Sequence, residues 1–182
     1  MIDELILDHI RSHYYGKYRG TVIDNADPTS RGRLQVSVPS VLGAVNLWAM
    51  PCVPYAGVKV GFYSLPAVGT GVWVEFEAGD PSYPVWTGFF WGDGELPDAA
   101  TGPDVKVWKT DKHILKMDDA GDQLQIGNDS GSLTTYAQDV KTESGGATVT
   151  VGSAGVAAEM TPHKVEVTQT SVSVNSGALE VM

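Results

Sequence analysis

The chain has little cysteine, little basic charge and no long apolar run, and each shortage excludes a class of protein. Cys52 is the only cysteine among 182 residues, so one chain can form neither a disulfide nor a cysteine-based zinc site. We expect this thiol to be buried as a small hydrophobic group. Lys and Arg number 12 against 22 Asp and Glu, and the net charge of -10 argues against a nucleic acid partner because phosphate is repelled.

The sequence also lacks a secretory signal and a membrane span. Its opening residues, MIDELILDHI, carry acids at Asp3, Glu4 and Asp8, where a signal peptide has Lys or Arg ahead of a continuous apolar run. No stretch approaches the roughly 18 to 20 apolar residues of a transmembrane helix. We therefore expect a soluble chain that is made in the cytoplasm without a signal peptide.

Residues 1–15 are predicted to form an N-terminal helical segment. Within it, one stripe at helical spacing is formed by Ile2, Leu5, Ile6, His9, Ile10 and His13. A helix of about twelve residues is marginal on its own, so the stripe must pack on either the following domain or another protein, and the sequence leaves both open. His9 and His13 are i, i+4 neighbours, but a stripe without a nearby carboxylate favours a structural role over a metal site.

Residues 16–96 are predicted to form a small barrel of five short strands. The hairpin over residues 68–91 is its clearest part, because Val72, Val74 and Phe76 alternate with residues of the other face before a Gly- and Pro-containing turn. Gly and Pro punctuate the other strands, and no convincing helix follows residue 13. We expect Arg33, at the end of the first loop, to pair with Asp24 or Asp27 or to face solvent.

The predicted barrel carries turn and strand residues in a set order. They are Gly32, Arg33, Pro66, Gly69, Gly79, Asp80, Pro81, Pro84 and Gly88. This signature resembles the OB-fold of phage baseplate assembly protein V and of the VgrG spike proteins of contractile injection systems, and the likeness extends over about residues 16 to 127. The resemblance implies an OB-fold barrel followed by a trimeric β-helical spike that docks on a separate hub protein.

Residues 97–127 are predicted to form a linker and the start of a shaft, and residues 128–182 an intertwined β-helical spike. In this tail two sets of apolar positions recur at intervals of seven, offset by two: Val151, Ala158, Val165, Val172 and Leu179, and Met160, Val167, Val174 and Val181. A coiled coil spaces its apolar positions three and four apart. An offset of two, with Thr, Ser and Gly between, is typical of strands.

One such ribbon has no adequate core. Burying a Val contributes roughly 1.5 to 3 kcal/mol, whereas ordering each residue costs about 1 to 2 kcal/mol. We therefore expect three ribbons to bring these apolar positions together on a common axis, with a single-chain β-solenoid or a disordered tail as alternatives. The predicted fold class is all-β: an OB-fold barrel followed by a short trimeric β-helix, with a short N-terminal amphipathic helix.

His163 is the one candidate ligand for an ion. It shares strand parity with Val165 and Val167, so three copies could converge on the axis of a trimer and bind a metal or an anion. The run His163-Lys164-Val165 departs from the His-x-His motif with which some phage spikes hold iron. A turn or surface histidine is the alternative, and no other cofactor is expected.

Parts of the sequence are also compatible with two functions other than a spike, a cell-wall hydrolase and a carbohydrate-binding module. Glu75 and Glu77 are spaced like paired carboxylates, which a cell-wall hydrolase would use, but a solvated strand face also explains them. The sequence contains no G-x-S-x-G, H-E-x-x-H or P-loop motif. A carbohydrate-binding OB-fold would use its tryptophans as stacking platforms. The tryptophans in question are Trp48, Trp73, Trp86 and Trp91.

Neither alternative explains the repeat in the tail, so we predict a structural protein and not an enzyme. It is expected to be the homotrimeric central spike of a contractile phage tail or phage-like injection or secretion particle, which docks on a separate hub and pierces the target envelope. Leu179, Val181 and Met182 are predicted to contact a tip-capping protein. The chain would be assembled into a virion baseplate or phage-like particle.

Overall fold

The computed structural model describes residues 2–181 and divides into two compact units, one that ends at Glu95 and one that begins at Leu96. The first unit contains the predicted N-terminal helix and a set of short strands. Its elements are α1 (Ile2–Ser12), β1 (Tyr18–Asp24), β2 (Leu34–Ser37), α2 (Pro39–Leu42), β3 (Asn46–Pro51), β4 (Ala56–Gly57), β5 (Val60–Gly61), β6 (Gly71–Phe76), a 3-10 helix (Glu77–Gly79) and β7 (Pro84–Phe90).

Five of these strands close into a barrel in the order β1-β2-β3-β7-β6, which confirms the predicted OB-like barrel. Strand β3 pairs with β7 in parallel, and the other neighbours are antiparallel. Because side chains alternate along a strand, β6 buries every second residue, as the hairpin pattern predicts. The core of the barrel consists of Val22, Leu34, Val36, Val38, Ala49, Val72, Val74, Phe76 and Trp86.

Two expectations for the barrel are wrong. Helix α2 and the 3-10 helix lie beyond residue 13, where no convincing helix was expected. Helix α2 is a single turn that begins at Pro39, whose fixed φ suits the first helical position. Cys52 is exposed and not buried. It follows β3, where its backbone N–H donates to the Trp86 carbonyl at 2.9 Å, so the main chain is held while the thiol faces solvent.

The second unit is a single antiparallel sheet of ten strands that follow one another in chain order. The strands are β8 (Val105–Lys109), β9 (His113–Asp118), β10 (Gln123–Asn128), β11 (Leu133–Tyr136), β12 (Val140–Ser144), β13 (Ala147–Gly152), β14 (Gly155–Met160), β15 (His163–Val167), β16 (Val172–Val174) and β17 (Leu179–Val181). The tail is thus built of short strands, as the repeat predicts, and is neither disordered nor a solenoid. That the tails of several copies wind around one another remains a prediction.

Directly opposed residues of antiparallel strands point to the same side, so from β12 to β17 the sheet has one mainly apolar face and one mainly polar face. We call the side that carries Val151 the apolar face. Three ion pairs lie on the opposite side, between Lys and an acid two residues later: Lys116–Asp118, Lys141–Glu143 and Lys164–Glu166, at 3.6, 2.7 and 2.9 Å. Within residues 96–181, no described side chain is buried. The sheet alone therefore has no core.

Candidate functional site

The loop between β1 and β2 is organised by one carboxylate, that of Asp27. It accepts hydrogen bonds from the backbone N–H groups of Thr29, Arg31 and Arg33 and from the Thr29 hydroxyl. Arg33 also donates from Nη2 and Nε to Asp27 Oδ1, at 2.8 and 3.1 Å. The Asp27 side chain is only 3% exposed. The hydrogen bond from Arg33, helped by those from Thr29 and Arg31, holds the pKa of Asp27 well below its usual range.

The signature pair Gly32-Arg33 joins this loop to the barrel. The Arg33 guanidinium lies over the Trp48 ring of β3, with its central carbon 5.4 Å from the ring centroid. Gly32 has a φ of +72°, which favours glycine, and its carbonyl accepts a hydrogen bond of 3.1 Å from Trp86 Nε1. Of the partners expected for Arg33, the structure confirms Asp27.

Pro66 and Gly69 fix the segment that enters β6. The Pro66 carbonyl accepts a hydrogen bond of 2.7 Å from Asn25 Nδ2, and Gly69 N–H donates to the Val22 carbonyl at 2.8 Å. Gly69 has a φ of +93°. These bonds hold the start of the hairpin against β1.

Gly79, Asp80 and Pro81 form the reversal after β6. Gly79 has a φ of +83°, and a Cβ there would lie 2.9 Å from the Tyr15 ring. Its carbonyl accepts a hydrogen bond of 2.8 Å from Tyr14 N–H, so the same turn fastens the segment that follows α1. Asp80 Oδ1 accepts from the N–H of the residue after Pro81, at 2.9 Å. The turn therefore needs a glycine for both its conformation and the close approach of Tyr15.

Pro84 and Gly88 shape the strand that returns from this turn. Pro84 is buried and opposes Phe76 at the start of β7. Gly88 has a φ of +151° and opposes Trp73, where the register between β6 and β7 shifts at a β-bulge. All nine signature residues thus have a local role in building the barrel.

Residues 18–91 match the family described as the Type VI secretion system/phage-baseplate injector OB domain. The barrel is similar to an injector OB domain. The match confirms the predicted resemblance to baseplate spike proteins for this part of the chain, which is less than half of its length. No curated protein matches the chain. A structural role in a baseplate is consistent with an injector OB domain.

The carboxylate of Asp27 should make the stability of the injector-like barrel depend on acid pH. Its folded-state pKa is depressed, so the unfolded chain takes up the proton first as pH falls below the ordinary value of about 3.9. Asp27→Asn should therefore lower the free energy of unfolding at pH 7. The difference from the parent chain should shrink as pH falls from 5 to 3.

Chemical denaturation at pH 7, 5 and 3 measures this effect, with Asp93→Asn as the matched control because Asp93 lies in an exposed turn after β7. A difference between the Asp27→Asn variant and the parent that stays constant over this pH range would contradict the role given to the Asp27 carboxylate.

The apolar face is the larger candidate surface. One ladder of opposed residues crosses six consecutive strands: Val140, Val151, Val156, Val167, Val172 and Val181. A second ladder crosses the five strands from β13 onward: Val149, Ala158, Val165, Val174 and Leu179. Apart from the half-buried Val140 and Val174, each member of these ladders is exposed. The repeat of seven therefore marks residues of one face.

Three members of these ladders, Val140, Val149 and Val156, were not among the predicted axis residues. A signal was present, since Val149 and Val156 precede His163 at the same interval of seven. The predicted axis residue Met160 lies outside both ladders, opposite His163, but on the same face. Leu179 and Val181, two of the predicted tip contacts, lie in the edge strand β17, and the third, Met182, lies outside the described residues.

His163 lies at the start of β15, exposed on the apolar face. His163 thus lies on the same face as Val165 and Val167, as its predicted place on the axis of a trimer requires. Among residues 2–181, no group of three or more His, Cys, Asp or Glu side chains could hold a metal ion within one chain.

The candidate catalytic carboxylates are not arranged as a pair. Glu75 lies on β6 and forms an ion pair of 2.7 Å with Lys17, whereas Glu77 lies beyond the strand, in the 3-10 helix. The expectation that both belong to one strand is wrong, because β6 ends at Phe76. A family of structural baseplate domains also favours a role other than catalysis.

The four tryptophans do not form one exposed platform. Trp86 is 4% exposed and belongs to the barrel core, while Trp91 is 65% exposed. Trp73 packs against Phe90 beneath Arg19, and Trp48 lies beneath Arg33. A sugar ring cannot stack on Trp86 in this barrel. As to membranes, no helix within the described part of the chain is long and apolar enough to span one.

Proposed function

We propose that three copies of the chain assemble through the apolar faces of their sheets and form the central spike of a contractile phage tail or a related injection particle. The observation that carries this proposal is the apolar face itself, which runs along a ten-stranded sheet without a single buried side chain among its described residues. A sheet is stable in water when one face is covered. The second unit therefore needs a partner along its length.

The apolar face of a second copy is a suitable surface to pack against, because it has the same apolar residues. The two ladders contain Val, Ala and Leu and no charged residue, and the charged pairs Lys116–Asp118, Lys141–Glu143 and Lys164–Glu166 lie on the other face. From β12 to β17, sheets that meet through their apolar faces therefore bury no Lys, Arg, Asp or Glu and leave these three ion pairs in water. Each Val removed from water contributes roughly 1.5 to 3 kcal/mol, and the ladders repeat this gain from β12 to β17.

The number three comes from the likeness to spike proteins, which use three chains. In such a spike the sheets surround one axis and form a rigid shaft that concentrates force on a small tip during contraction. The injector-like barrels form a platform beneath a separate hub protein. Leu179 and Val181, in the exposed edge strand β17, contact a capping protein, and His163 residues from the three copies face the axis, where an ion would bind.

The native mass in solution tests the assembly. The full chain should have three times the chain mass of 19.4 kDa by light scattering, and a version that ends at Asp104 should be a monomer. The truncated version keeps every buried hydrophobic residue of the barrel, so it retains a core of its own. A full-length monomer would contradict the proposal, and a mass of two chains would replace the three-sheet shaft with a two-sheet sandwich.

A further inference from the structure

The helix α1 leaves its apolar stripe exposed. The side chains of Ile2, Leu5, Ile6 and Ile10 are between 52% and 74% exposed, and no residue of the helix is buried. A helix of this length is marginal in water without a packed face. The stripe was predicted to pack on either the barrel of the same chain or another protein. The barrel of the same chain does not cover it.

The end of α1 is nevertheless fixed to the barrel. Tyr14 N–H donates to the Gly79 carbonyl at 2.8 Å, and the Tyr15 ring lies against the Cα of the same glycine. The Tyr15 hydroxyl is 3.2 Å from His9 Nε2, within the last turn of the helix. The helix therefore leaves the barrel at a defined point, which suits a docking element better than a free tail.

A second exposed apolar surface lies in the same unit. We call residues 53–65, which contain the small hairpin of β4 and β5, the arm. Its side chains Tyr55, Val58, Val60 and Tyr63 are between 55% and 91% exposed. A groove runs between the arm and the loop that carries Arg31. The arm thus offers an apolar surface with a concave side.

The two surfaces have opposite charge. The residues that line the groove include Arg31 and Lys59 and no carboxylate, in a chain whose net charge is -10. From residue 2 to residue 10, α1 contains acids and neither Lys nor Arg. At 100° per residue, Asp3 and Asp8 lie on the two sides of the apolar stripe. An apolar helix face with acidic residues on its two sides is complementary to an apolar arm with basic residues beside it.

From this complementarity we infer that α1 of one copy docks on the arm of a neighbouring copy. The inference rests on the proposed trimer. Because the helix and the arm are different surfaces, the contact is heterologous, and its repetition around a threefold axis closes a ring. The ring gives the spike a second and weaker set of contacts at its barrel end, which forms once the sheets have brought the three copies together.

Cross-linking of the full chain tests whether helix and arm of different copies meet. In a Cys52→Ser background, Ile6→Cys and Val58→Cys place one thiol on each surface, and a short bismaleimide should give bands of two and three chains on a denaturing gel. The matched control replaces Ile6→Cys with Arg11→Cys, on the opposite side of the helix, and should lose most of these bands.

The native mass of the same samples separates the two proposals. A trimer that gives only single-chain bands overturns the docking of α1 and leaves the spike intact. A cross-link within one chain also overturns it, since the arm would then be the helix's own. A full-length monomer overturns both the trimer and the docking.

Charge reversal provides a second test. Arg31→Glu with Lys59→Glu should reduce the protection of the α1 amides against hydrogen exchange by about tenfold, because like charges then face each other. Arg31 binds Asp27 through its backbone N–H, so this change leaves that bond in place. Adding Asp3→Lys and Asp8→Lys to the same chain should restore the protection. Failure of this rescue would overturn the pairing of helix and arm.

Discussion

Val151→Asp should abolish the trimer of the full-length chain. Val151 belongs to the longer ladder of the apolar face, between Val140 and Val156, and is 48% exposed in the single chain. In the proposed spike, three such carboxylates would meet near one axis without a cation. Removing an ion from water costs several kcal/mol, and the three like charges also repel. The native mass should therefore fall to that of one chain at pH 7.

The neighbouring Thr150 supplies a matched control. It lies on the same strand, points to the polar face and opposes Lys141. Thr150→Asp adds the same charge one residue away, next to a cation and in water, so the trimer should persist. Equal masses for the two variants would mean that the apolar face does not carry the assembly.

The barrel hairpin could be predicted in detail because its signals are local. Alternation from Val72 to Phe76 gives the strand, and Gly79 with Pro81 gives the turn, so the elements β6 and β7 begin and end close to their predicted bounds. Helix α2 was missed because one turn of four residues is too short for a periodic pattern. The exposure of Cys52 depends on the parallel pairing of β3 with β7, which joins residues far apart in the chain.

The tail shows what a repeat can and cannot specify. The interval of seven identifies one face, since one strand and its turn together occupy about that many residues. It does not identify the ladder, because the chain reverses at every turn. Val151 and Val165 recur in the same series, yet they lie in different ladders. Which residues oppose each other depends on the length of each turn.

The loop network was only partly predictable. The pairing of Arg33 with an acid follows from charge, but Asp24 and Asp27 are equivalent at that level. The structure selects Asp27 because its position also reaches the backbone N–H groups of Thr29, Arg31 and Arg33. Such convergence depends on the path of the loop, and no side-chain pattern contains it.

Trp86→Ala should be the most damaging single truncation in the barrel. The side chain is 4% exposed, packs against Phe89 with 5.4 Å between ring centroids, and donates from Nε1 to the Gly32 carbonyl. Removal of such a ring leaves a cavity and costs about 3 to 5 kcal/mol of unfolding free energy. Here it also removes the hydrogen bond that ties Gly32, and with it the Asp27 loop, to β7.

Trp91→Ala is the matched control, because that ring is 65% exposed just beyond β7. Its loss should change the unfolding free energy by no more than about 0.5 kcal/mol. Chemical denaturation followed by circular dichroism, in the version that ends at Asp104, measures both changes without the effect of chain association. Similar costs for the two variants would contradict the placement of Trp86 in the core. They would also reopen the carbohydrate-binding alternative, since that function needs these rings on the surface.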